Sequence, residues 1–75
     1  MINLYFEENG VKSYIGSYKT RPESVRAANV WLETHGYTRE PYSRSWITTD
    51  DEEYEDFGSW SAFFVRIGRE EKPNI

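Results

Sequence analysis

The 75-residue chain has no cysteine, one histidine and one methionine. Without cysteine there is no disulfide, no thiolate zinc site and no cysteine nucleophile. His35, the single histidine, falls near the end of a helix expected over residues 21–35, where a capping or packing role suits it better than general-base chemistry. No Gly-rich phosphate loop and no Ser-His-Asp spacing occurs. An EF-hand loop starting at Asp50 would need glycine at its sixth position and glutamate at its twelfth, but Glu55 and Ser61 stand there. The expectation is a non-enzymatic protein with no catalytic residue, no metal and no cofactor. Long apolar runs are missing too. The longest, Ala62–Val65, is far too short to span a bilayer. The opening Met1-Ile2-Asn3-Leu4-Tyr5-Phe6 has neither a basic region nor a long apolar segment of the secretory kind. A cytoplasmic protein without a membrane partner is expected.

What the chain does have is aromatic side chains: three Trp, six Tyr and four Phe. A domain this short buries only about 60% of its unfolded surface. Rings that bury roughly 150–250 Å² each must therefore supply much of its core. The net charge is −4 and unevenly spread. Residues 1–48 carry six basic and five acidic side chains, whereas residues 49–75 carry three basic and eight acidic ones. The acidic half should repel free nucleic acid.

Residues 2–18 read as a β-hairpin about Asn9-Gly10, because both residues tolerate the positive φ of a type I′ turn. A two-residue loop pairs Glu8 with Val11, Glu7 with Lys12, Tyr5 with Tyr14 and Leu4 with Ile15. One face then carries Ile2, Leu4, Phe6, Val11 and Ile15 toward the core. The other carries Asn3, Tyr5, Glu7, Lys12, Tyr14 and Tyr18. The helix over 21–35 starts from Thr20 as N-cap, with Glu23 reaching back in a capping box, and stops at Gly36. Its inner side is Val25, Ala28 and Leu32, flanked by Ser24, Trp31 and His35. Strands follow at 44–49 and 60–68, joined by an acidic loop, and residues 69–75 form a polar, frayed tail. The fold class expected is α+β, a four-stranded antiparallel sheet in ββαββ order with one helix on one face. A single domain spans 1–68.

Two surfaces stand out as candidate sites. In "DDEEYEDFGSW", Asp50, Asp51, Glu52, Glu53, Glu55 and Asp56 resemble a line of phosphates, with Tyr54, Phe57 and Trp60 at intervals of three as aromatic anchors. The bland reading is a solvated loop. The second surface is the sheet face away from the helix, with Tyr5, Tyr14 and Tyr18. Phe64 and Trp46 join it if Phe63, Val65 and Ile67 face the helix. Interfaces favour such residues, although strands carry tyrosine on solvated faces as well. The function expected is a protein-binding module: an inhibitor or adaptor whose acidic stretch occupies the basic surface of a nucleic-acid-handling partner. In size, acidity and lack of cysteine, though not in any motif, it resembles phage-encoded inhibitors of host nucleases and defence systems. The alternatives are a homo-oligomeric structural or regulatory domain, such as a homodimer hiding the tyrosine face, and a single-stranded nucleic-acid binder. Against the last, neither strand matches an RNP motif, and the element order differs from that fold.

Overall fold

The computed structural model describes residues 1–40, 43–58 and 61–71. The elements run β1 (Ile2–Glu8), β2 (Val11–Tyr18), α1 (Arg21–Thr34), β3 (Ser45–Ile47), β4 (Glu53–Glu55) and β5 (Ala62–Gly68). The α+β class and the single helix on an antiparallel sheet agree with the sequence. The strand count does not. The sheet has five strands in the order β2-β1-β5-β4-β3. The additional strand is β4, cut from the acidic stretch that reads as a loop.

The hairpin turns where expected, with Asn9 at φ 54° and Gly10 at φ 79°. Glu8↔Val11, Glu7↔Lys12 and Tyr5↔Tyr14 pair as the two-residue turn dictates. The register then slips, so Leu4 pairs with Gly16 and not with Ile15, and Ile2 pairs with Tyr18. Ile15 is the extra residue of a β-bulge, and because side chains alternate with period two, one inserted residue reverses the facing of all that follows. Tyr18 consequently lies on the helix side, packed against the core, and not on the open face with Tyr5 and Tyr14. Val11 is 66% exposed and is no part of the core.

Thr20 caps the helix by accepting from the Glu23 N–H at 3.4 Å, and Gly36 ends it at φ 75°. The capping box is not closed as expected. The Glu23 carboxylate takes the N–H of Lys19 and not that of Thr20. The helix buries Ser24, Ala28 and Leu32. Beneath it lie Leu4, Phe6, Phe57, Ala62 and Phe64. Phe6 links the ring cluster, with centroids 4.1 Å from Trp31, 5.7 Å from Phe64 and 6.2 Å from Phe57. Phe64, placed by sequence alternation on the open face, is fully buried in this core. The polar residues after β5 are held rather than frayed at their start. Glu70 accepts from the Arg21 N–H at 2.8 Å, and the Glu71 N–H donates to the Lys19 carbonyl.

Leu4, with no exposure, and Val11 make opposite forecasts. Leu4→Ala should cost about 2–5 kcal/mol, a large share of the roughly 5–15 kcal/mol of a whole domain. Val11→Thr should stay within about 0.5 kcal/mol. Urea denaturation of the two variants checks both.

Candidate functional site

The acidic stretch changes character along its length, because only its first part reaches solvent unpaired. Asp50 and Asp51 occupy the exposed turn between β3 and β4, where the Thr48 hydroxyl accepts from the N–H groups of Asp50 and Glu52. Neither aspartate has an ion pair among the described residues. From Glu53 onward the carboxylates turn to arginine. Glu53 receives Arg21 in a forked contact, Nη2 at 2.6 Å and Nε at 2.9 Å. Glu55, 9% exposed, takes Arg39 Nη2 at 2.8 Å and lies 3.9 Å from Arg66 Nη1. Asp56, equally hidden, accepts from the backbone N–H groups of Arg44 at 2.7 Å and Gly58 at 3.1 Å.

The aromatic anchors part company too. Tyr54 points to the open face. Phe57, at φ 37°, inserts its ring into the core and is 3% exposed. The tight turn is completed by Gly58 at φ 88°, where a Cβ would stand only 2.4 Å from Glu40 Cβ. A helical turn presenting Tyr54 and Phe57 together is therefore not formed. Trp60 lies outside the described residues.

Arg66 sits beside these acids on the helix side of β5 and is 3% exposed. Its Nε donates to Ser24 Oγ at 2.8 Å, while Nη1 and Nη2 have no hydrogen-bond partner among the described residues. Burial lowers its guanidinium from the usual value, and the charges of Glu55 and Glu53 push the other way. Since arginine stays protonated in proteins, a buried cation is held here by two carboxylates.

The facing of Arg66 decides that of its neighbours. With Phe64 and Arg66 toward the helix, Phe63, Val65 and Ile67 fall on the open face, the reverse of the sequence expectation. Register then lines up one row across the whole sheet: Tyr14↔Tyr5↔Val65↔Tyr54↔Trp46. Val65 has no exposure although α1 lies on the opposite face, so the flanking rings close over it. Tyr5 and Tyr14 meet edge to face at 5.6 Å. Trp46 stacks on Tyr54 at 5.8 Å, and Phe63 abuts both. Trp46 remains 42% and Tyr14 61% exposed. Of the candidate residues, Tyr5, Tyr14, Trp46 and Tyr54 are the ones that the structure brings together in one row. Phe63 belongs with them, and its placement could not be read without knowing which way Arg66 faces. Around this band lie the Glu7–Lys12 pair at 3.2 Å, and Glu52, which accepts from the Tyr54 hydroxyl at 3.5 Å.

No group of three or more metal-ligating side chains is found among the described residues, and none of their helices is long and apolar enough to cross a membrane.

The arginine pairing carries a pH dependence with a definite sign. The hydrogen bond from Arg21 holds the Glu53 carboxyl below its usual value. For Asp56, burial pushes upward, but the N–H groups of Arg44 and Gly58 and the Arg44 charge outweigh it and leave the group lowered. A carboxyl depressed in the fold stabilises it above the unfolded pKa, and that stability disappears as pH falls through the folded value. Stability should therefore fall from about pH 5 downward, and Glu53→Gln should make that fall shallower. Glu55→Gln, which weakens the compensation of a buried guanidinium, should cost up to about 3–5 kcal/mol at neutral pH. Urea titrations across pH measure all three. The chain matches no protein-family model, no curated protein and no solved structure, so the reading that follows rests on its own geometry.

Proposed function

We propose that this protein is a non-catalytic protein-binding module whose contact surface is the aromatic row of the open sheet face. The observation that carries this reading is the row itself: four rings in register around a sealed valine, with no helix or strand among the described residues over them. Tyrosine and tryptophan are the residues that interface centres favour, since they bury large area with few rotatable bonds. The charge at its margin selects the partner's sign. Glu7 and Glu52 outnumber Lys12, and Asp50 and Asp51, without an ion pair among the described residues, lie in the turn beside Glu52. A basic protein surface complements that rim and is drawn to it before contact.

A protein that handles nucleic acid carries such a basic surface. An inhibitor or adaptor that occupies it remains the form of this proposal, but with different supports. The six carboxylates do not stand in a free line, because Glu53, Glu55 and Asp56 engage arginine side chains of the protein itself. Rings therefore supply the buried anchor, and Asp50, Asp51 and Glu52 supply the attraction.

Two variants separate these roles. Tyr14→Ala with Trp46→Ala removes exposed rings and leaves the core intact. Asp50→Asn, Asp51→Asn and Glu52→Gln together remove the attraction. A partner captured by the wild type from lysate, identified and then titrated, should bind the ring variant at least about 30-fold more weakly, the loss of a hot spot. The amide variant should mainly slow association and flatten its salt dependence. Wild-type affinity in the ring variant, or an acidic partner, would sink the proposal.

A further inference from the structure

The two edges of the sheet are unlike. The β2 edge carries Lys12 and the Ile15 bulge, two devices that discourage another strand from pairing. The β3 edge carries neither. Its three residues, Ser45, Trp46 and Ile47, are all exposed, uncharged and free of proline, and Ile47 is 71% exposed.

The backbone of β3 is also set for a partner. The Arg44 carbonyl accepts from the Asp56 N–H at 3.0 Å, and the Thr48 N–H donates to the Glu52 carbonyl at 2.9 Å. Residues 44 and 48 thus point their backbone groups at β4, as does Trp46 between them, opposite Tyr54. By alternation, the N–H and C=O of Ser45 and of Ile47 point outward, away from the sheet. Four polar groups stand in two reciprocal positions about Trp46.

We infer that β3 pairs with β3 of a second copy of this chain, antiparallel about a two-fold axis through Trp46, making one continuous ten-stranded sheet. Such a copy satisfies all four outward groups at once, Ser45 of each chain exchanging both hydrogen bonds with Ile47 of the other. The side chains agree with that register. On the helix side, the exposed Ile47 lies opposite the small Ser45. On the open face the two Trp46 rings meet at a non-hydrogen-bonded pair, the closer kind, and join the two aromatic rows end to end. An unrelated extended segment could fill the hydrogen bonds, but this self-complementary order of small, aromatic and large residues favours the chain itself.

Sedimentation equilibrium of the full chain, taken up to millimolar concentration, tests this. The wild type should show a concentration-dependent dimer. Ile47→Lys should weaken it by at least about tenfold. Ile47→Pro, which deletes one outward N–H and no bond to β4, should do the same while circular dichroism shows the fold intact. Because the chain has no cysteine, the register can be read directly. Trp46→Cys should form an interchain disulfide on oxidation, since the paired Cα atoms fall within bridging distance, whereas Val11→Cys on the other edge should not. A wild type that stays monomeric would overturn the inference. So would a dimer indifferent to both Ile47 variants, or cross-linking at residue 11 in preference to residue 46.

Discussion

The arrangement turns on one buried cation. Arg66 lies in the middle of the sheet, on the side that the helix covers, and its guanidinium reaches water almost nowhere. Removing such a group from water costs several kcal/mol unless opposite charge and hydrogen bonds replace the hydration. Glu55, Glu53 and Ser24 are what replace it, and they come from β4 and from the first turn of α1. Two of these partners are themselves gripped by further arginines, Arg21 on Glu53 and Arg39 on Glu55, and Arg39 also donates to Asn29 of the helix. Helix, β4, β5 and the segment before β3 are thereby joined through one alternating chain of charge. The hydrophobic cluster joins α1 to β1, Phe57 and the first half of β5, and this network takes over where it ends.

That network explains why an acidic segment is a strand at all. Glutamate is a poor strand former, and "EYE" has little of its own to recommend it. Glu53 and Glu55 gain by facing inward only because Arg66, Arg21 and Arg39 are there. Once they do, Tyr54 between them must face out. It is then brought level with Val65 and Trp46. The ion pairs on one face therefore set the aromatic row on the other.

Much of the scaffold was legible from residues. Asn9-Gly10 fixed the turn, Thr20 and Gly36 bounded the helix, and the positions of Ala28 and Leu32 gave its inner face. The facing of β5 was not. In "AFFVRIG" both alternations are aromatic and aliphatic, and Arg66 is the one residue that breaks the tie. Read alone, an arginine points to water, which sends Phe63, Val65 and Ile67 to the core. Its burial depends on acids eleven or more positions away in sequence, and no local pattern reports that pairing. The bulge at Ile15 had one local sign, Gly16 beside it in "VKSYIGSY", but glycine alone does not fix where the extra residue falls, and Tyr18 changes sides as a result. For the candidate site, Tyr5, Tyr14 and Trp46 were within reach of sequence. The dispersal of the carboxylates and the burial of Phe57 and Phe64 followed from long-range contacts.

At its β4 end the sheet inverts the common division of a one-helix sheet. Beyond the apolar cluster, the covered face holds Glu53, Glu55 and Arg66, whereas the uncovered face carries Tyr54, Phe63 and Trp46 there and Tyr5 and Tyr14 farther along. Stability gives little reason for this. Buried ion pairs are often no better than apolar residues of the same volume, and rings left half in water forgo part of their burial. Exchanging the two sets would bury more apolar area and hydrate more charge. A sequence that keeps these charges inside and these rings outside, on a chain short enough for stability to be marginal, fits the proposed use of the rings as a contact surface.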